Sequence, residues 1–546
     1  VQSGGTFFVE AGGSATNAVI SQGGTITGAG DVDSPDVMGT GVVSGGAVWI
    51  NANVHDSASL SVRAGAVTSL TTTSDGGIEI VEAGGSSMVA DICDVGFQVV
   101  SSGGFGSGSL VEEQGHTSAL SGALLSSYLV VADGIVFLQG GTAVDTQLLD
   151  TGHMRVSAGG LASDTLVEDG GDNIVFDQGV ASGTVVSGGG QESVSSGGVI
   201  VGTTVLTSGL GIVYAGGAAS AYTVRGRVNV SSGGVERGAT VSSGGVGVVS
   251  SGGTASSTTI LAGGIESIDP NGLGIGATVS SGGGELVYGS AVGTIVRAGA
   301  SETVYSGGSA VSASVAGGID VLSGGSAGGT VITGRMNVSA GGSATATTVS
   351  SGGVDVVSSG ATASGTTVLS GGIESIDPNG IGSGATVSSG GWELVYGSAL
   401  ATTVRSGALE IIQSGGTLVG ATLSGGFLEI KSGGTAGTSQ IGFATSAGGT
   451  VQLDDSVHFS GTISGFGIPG GIDLRDIAFA TATLGYSGDT TSGILTVQDA
   501  SSSTAHIHLL GNYTLGSFKT QDDGQGGTLV TDPPVVDPSS LFNPHP

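Results

Sequence analysis

One cysteine, Cys93, occurs in 546 residues, so no internal disulfide can form and a packed core thiol is the expected state. Eleven lysines and arginines stand against 43 aspartates and glutamates, for a net charge of −32. That balance argues against nucleic acid and an anionic membrane surface as partners, and favours solubility and attraction of cations. No apolar run approaches the roughly 18 residues of a membrane-spanning helix, so no membrane insertion is expected in this segment. Nine prolines without a G-X-Y period exclude collagen. GxSxG, HExxH and P-loop patterns are missing, and no GxGxxG stands between a strand and a helix. The first residue is Val1 rather than Met, which predicts a processed or excised segment of a longer secreted protein.

What the chain has is glycine. Its 112 glycines are about three times the share of an average globular chain, which is near ~7 %. Disorder fits poorly, because 38 % hydrophobic residues with regularly placed Val and Ile can bury surface. Glycine costs about 1 kcal/mol per helical position, and Ser, Thr and Val are poor helix formers. A tight-turned β-repeat remains.

Glycine pairs set the beat. Gly233-Gly234, Gly244-Gly245, Gly252-Gly253 and Gly263-Gly264 follow one another at 11, 8 and 11 residues, so a double step is 19, read as two short strands and two tight turns. Three successive units are TTVSSGGVDVVSSGATASG (Thr347–Gly365), TTVLSGGIESIDPNGIGSG (Thr366–Gly384) and ATVSSGGWELVYGSALA (Ala385–Ala401). The first strand centres on Val349, Val368, Val387, Val404 and Leu423. A longer duplication lies above this period: 226–309 and 334–418 align at an offset of 108 residues, with IESIDPNG at both Ile265–Gly272 and Ile373–Gly380. Units that repeat in this way stack into a solenoid in which each rung contacts its neighbours. The calcium-binding β-roll is the nearest alternative, but its GGxGxD motif is absent, since Gly103–Gly108 reads GGFGSG.

The expected organisation is therefore a parallel β-helical rod over 1–449, a β capping segment over 450–532, and a Pro-rich tail over 533–546. The cap is read from VQLDDSVHF, GIDLRDIAF, GILTVQD, AHIHLLGNY and GGTLVTDPP, where glycine pairs thin out and charged and aromatic residues appear. A solenoid must hide its last sheet edge.

Acids recur with the rungs. Asp355, Glu374, Glu393, Glu410 and Glu429 are spaced 19, 19, 17 and 19 residues apart, each between mostly apolar neighbours, and Glu266, Glu285 and Glu302 hold equivalent places in the other copy. Alternation at period two gives such a strand two faces. The expectation is that the acids line the outer face, either as a solvated surface or as weak Ca²⁺ ligands bridging two rods, with Asp355, Glu374 and Glu393 as the calcium candidates. Beside them run Val357, Ile376, Val395, Ile412 and Lys431. Strict alternation puts these outside too, as a contact surface, whereas a bend after the acid would turn them inward as core. The acids and the four apolar residues together form the candidate interaction surface.

Other residues receive plainer readings. Asp31, Asp33 and Asp36, and Glu168, Asp169, Asp172 and Asp177, look like polar loops. His506 and His508 share one face of a strand without a third ligand nearby, so a surface strand is expected rather than zinc. Trp49 and Trp392 are expected in the core.

The units xTVxSGGxxxVxSGGxAxx closely resemble the passenger repeats of AIDA-type self-associating autotransporter adhesins of Gram-negative bacteria, over about 1–449. The resemblance implies a secreted right-handed parallel β-helix on the cell surface, acting in adhesion, autoaggregation or biofilm growth. Its partners would be other copies of itself, or host and cell-surface glycans and proteins. It also implies O-glycosylation of repeat hydroxyls, with Ser350, Ser351, Thr366 and Thr367 at comparable positions. Residues 450–546 are too short and too aromatic-poor for a translocating barrel, so either a barrel has been removed or export uses another route, such as a C-terminal type I signal. Beside a non-enzymatic adhesin stand two alternatives: a polysaccharide-processing β-helix enzyme, which needs acids grouped with Arg, Lys or His in a cleft, and a passive stalk holding another domain.

Overall fold

A computed structural model describes residues 1–444 and 447–532; the expected tail over 533–546 lies outside the described residues. Cα packing divides the chain into two units, Val1–Thr278 with Gly282–Glu285, and Val279–Ser281 with Leu286 onward.

Each unit is a parallel β-solenoid of about 19-residue turns. In the second unit one turn carries the strands Val354–Val357, Thr362–Ser364 and Thr367–Val368, so a rung has three strands rather than the expected two. The four-residue strand stacks in register on Ile373–Ile376, pairing Val354 with Ile373 and Asp355 with Glu374. The two-residue strand does the same, with Thr367 on Thr386 and Val368 on Val387. The first unit repeats this arrangement, as where Ile78–Val81 stacks on Phe97–Val100. Interior side chains come from alternate positions, and Val349, Val368, Val387 and Val404 form one buried column with Ala408.

The two glycines of the Gly415-Gly416 pair do different work. Gly415 has φ +85 and open space where a Cβ would point. Gly416 has no such backbone demand, but a Cβ there would lie 2.2 Å from the carbonyl oxygen of Val395 on the preceding rung. The first position needs the left-handed conformation, which Asn also tolerates, and Asn379 fills an equivalent corner at φ +63. The second needs the missing side chain itself.

The second unit ends by changing its pairing. Gly470–Leu474 stacks parallel on Gly449–Leu453, then pairs antiparallel with Thr528–Thr531. An antiparallel meander of Thr483–Gly488, Ser492–Gln498 and Thr504–Leu510 joins Thr462–Ser464 on the other sheet. Antiparallel strands laid along both edges cover backbone groups that an open end would expose.

The glycine distinction predicts opposite outcomes at adjacent residues. Gly416→Ala should destabilise the chain by about 1–3 kcal/mol, the usual cost of overpacking, whereas Gly415→Asn should leave the thermal melt nearly unchanged. Equal melting temperatures for the two variants would contradict the assignment.

Candidate functional site

The strand Trp392–Val395 shows how a rung sorts its residues: Trp392 and Leu394 point out, Glu393 and Val395 point in. The same holds one rung before and one after, since Glu374, Glu393 and Glu410 are register partners and all fully buried. The acids therefore line the interior, and the expected outer acidic face is inverted. Val357, Ile376, Val395 and Ile412 are likewise fully buried core, the inward alternative for that column. No bend is needed to place them there, because they share the parity of the acids. Neither set can form a surface between copies. The oxygens of Asp355, Glu374 and Glu393 are shut inside, so an ion bridging two molecules cannot reach them. Among the described residues, no group of three or more His, Cys, Asp or Glu side chains is placed to hold a metal.

Glu429 leaves the column. Leu423 follows Val404 in the stack and Phe427 follows Leu409, so the intervening turn is one residue shorter than in the rung before. Leu428 then pairs with Glu410 and Glu429 with Ile411, which faces outward. A one-residue slip exchanges the faces of a strand. Outside, Glu429 accepts hydrogen bonds from Lys431 and from Gln452, the latter at 2.7 Å.

Two buried acids of the first unit are satisfied differently from the stacked run of the second. In the first, Glu79 accepts from Thr68 at 2.7 Å, and from Ser87 and Gln98 at 2.9 Å. Glu192 accepts from Asn173 and Thr203. In the second, Asp355, Glu374, Glu393 and Glu410 have no donor on either oxygen among the described residues, although Thr366 and Thr402 lie near. Burial pushes the carboxyls up, to about 7 for Glu374 and about 8 for Glu410. Asp355 and Glu393 are raised well above the usual range, by burial first and by their acidic neighbours second. Stacked acids that would repel as carboxylates are thereby biased toward the neutral form, in which a protonated carboxyl can donate to its neighbour.

The remaining candidates fall as follows. Thr366 is buried, so a folded chain cannot present it for glycosylation, while Ser351 is exposed and Ser350 and Thr367 are half-buried. Trp49 is core, as expected, but Trp392 is 45 % exposed. Cys93 is half-buried, and burial beside acids pushes its thiol up to about 12. His506 and His508 are exposed on one face of Thr504–Leu510. A cavity of about 190 Å³ between Lys431, Asp455 and His458 brings a cation, an acid and an imidazole together near the cap.

The surface missed in the sequence is the outward one. Val354, Ile373, Trp392, Leu409 and Phe427 are successive register partners on one outer column. Val356, Leu394 and Ile411 flank them, with Ser375 in the same column. The signal was present: the inner column is uniformly Val or Ile, as a lumen of constant width requires, while the outer one varies from Val to Trp.

Fold and outer columns define a parallel β-solenoid that presents ladders of side chains at rung spacing. Within it, residues 132–190 match the family described as "Adhesin of bacterial autotransporter system, probable stalk". No curated protein matches the chain. Among solved structures, a TibC-catalysed hyper-glycosylated fragment of TibA is 29 % identical, covering 63 % of this chain and 99 % of that one, with a TM-score of 0.30. The Dettilon tailspike protein is 11 % identical over 76 % of this chain and 72 % of its own, with a TM-score of 0.11. The A-module of the mannuronan C-5 epimerase AlgE4 of Azotobacter vinelandii is 11 % identical over 82 % and 89 %, with a TM-score of 0.10. The fold assignment rests on the strand register of this chain, not on these scores.

The raised carboxyls give stability an uncommon pH dependence. The folded chain holds these protons more tightly than the unfolded one, so their contribution is complete below about pH 4.5 and is lost as pH rises through about 7 and 8. The melting temperature should fall between pH 5 and pH 8. Replacing Glu374, Glu393 and Glu410 together by Gln should flatten that slope. A wild-type melt that stays level across the range would remove the neutral ladder.

Proposed function

We propose that this chain is an extracellular adhesin that acts through the lateral faces of its β-solenoid, in cell aggregation, surface attachment or biofilm growth, without catalysis. The observation that carries this reading is the outer surface: rung after rung of short turns and flat strands that present side chains at a fixed spacing. Solenoid enzymes need a cleft in which acids meet Arg, Lys or His. Here the stacked acids are enclosed, and equal burial gives them no division into acid and base. The match of residues 132–190 to an adhesin of the bacterial autotransporter system supports presentation outside a bacterial cell. Host or bacterial glycans and proteins, and other copies of the chain, are the partners such a face would meet.

The stalk reading has one specific support, the description of the matched family as a probable stalk. The two differ in what the isolated chain does. Beads coated with purified chain should clump with one another or attach to cells, whereas a passive stalk would leave them dispersed. Because the stacked acids are internal, adding a chelator should leave clumping unchanged. Loss of clumping with EDTA, restored by calcium, would contradict that placement.

A further inference from the structure

The 108-residue duplication puts two versions of one lumen in a single chain, and they differ at a cluster of inward positions. Gly247 and Glu236 of the first repeat stand where the second has Asp355 and Ala344. Glycine plus glutamate and alanine plus aspartate contain the same side-chain atoms, so the same carboxyl is supplied from opposite walls. In the second repeat it comes from Val354–Val357, where Asp355 is in register with Glu374. In the first, Gly247 is in register with Glu266, and the carboxyl of Glu236 comes from Val235–Arg237 across the lumen.

Two further differences are not balanced. Val228 and Ala239 of the first repeat stand where the second has Met336 and Thr347, so a methylene-length of side chain and a hydroxyl are missing there. Room is left over: Val228, Glu236, Ala239, Gly247, Thr258 and Glu266 line an internal cavity of about 10 Å³. Glu236 is 1 % exposed and Glu266 2 %. Glu266 accepts a hydrogen bond from Thr258 at 2.9 Å, and Glu236 accepts one from the backbone N–H of Ala239. The remaining oxygens, Glu236 Oε1 and Glu266 Oε2, have no hydrogen-bond partner among the described residues. Two unpartnered, buried oxygens therefore belong to the walls of one small cavity.

We infer that this cavity is a binding site for a single water molecule, held between Glu236 Oε1 and Glu266 Oε2. The site is independent of the adhesive reading. Its volume is close to the roughly 10–15 Å³ of free space that one water needs. Burial pushes both carboxyls up, to about 8 for Glu236 and about 7 for Glu266, so near neutral pH a proton resides on one or both. Water suits either arrangement, because it donates to a bare oxygen and accepts from a protonated one. A cation would need more ligands, and no group of three or more His, Cys, Asp or Glu side chains is placed for one among the described residues. An apolar guest would leave both oxygens unsatisfied, a cost that water avoids. In the second repeat the larger Met336 and Thr347 take up the room, and the two acids stand in register without need of a bridge.

The experiment uses the full chain with two readouts. Magnetic relaxation dispersion of water counts long-lived internal waters, and amide hydrogen exchange reads the rungs beside the cavity. The variant V228M/E236A/A239T/G247D gives the first repeat the lumen of the second. It should lose one long-lived water and keep the exchange rates of wild type. G247A tests the site by displacement. A Cβ at Gly247 meets Val241 Cγ2 at 3.5 Å and Glu266 Cγ at 4.0 Å, both ordinary contacts, so the methyl enters without a clash. Displacing a bound water leaves two buried oxygens unpartnered, and exchange in Val246–Val249 and Ile265–Ile268 should quicken at least about fivefold. A dry cavity gives the opposite sign, because a methyl that fills it also restrains the unfolded chain. Exchange that is unchanged or slower in G247A overturns the inference. So do equal water counts in wild type and the four-residue variant.

Discussion

Parallel hydrogen bonding in register, each rung on the one before, is the constraint from which the other features follow. It fixes a residue's vertical neighbours as copies of its own position, so every choice is made in columns. A lumen of constant width admits Val and Ile in column after column. A corner that passes close to the carbonyl below requires Gly416 to lack a side chain. Glycine here sets the pitch and does not loosen the chain.

The same constraint explains the buried acids. A polar residue placed inside one rung finds its neighbours in the adjacent rungs, and the first unit meets that need with Thr, Ser, Gln and Asn around Glu79 and Glu192. The run from Asp355 to Glu410 stacks acid on acid instead, and keeping the proton is the way such a stack avoids buried like charges. Enclosure also separates the acids from any outside chemistry, which is why their displaced titration marks a core and not an active site.

Much of this was legible in the sequence. The glycine beat carried the rung length and the stacking, and the strand centres Val349, Val368, Val387 and Val404 do fall on one stacked column, which is buried. The third strand was not legible, because two residues such as Thr367 and Val368 carry too little pattern to stand apart from a turn. Nor was the inside distinguishable from the outside: an apolar–acid–apolar–apolar strand has the same alternation whichever face is buried. The cost of burying a charge favoured acids outside, and the stack evades that cost by being neutral. Trp392 was misplaced for the same reason. Glu429 keeps the spacing of the column but not its register, because the turn before Phe427 is one residue shorter.

The shortened turn before Phe427 has a consequence for how such chains diversify. A corner one residue shorter than its predecessor sets Glu429 on the surface while the strands on either side stay paired. It also places a charge beside the end of the apolar column, where Phe427 pairs with Thr450. A solenoid can therefore rewrite its exterior by trimming corners, with no substitution at all in the strands, so deletions that would ruin a globular core act here as a source of new surfaces.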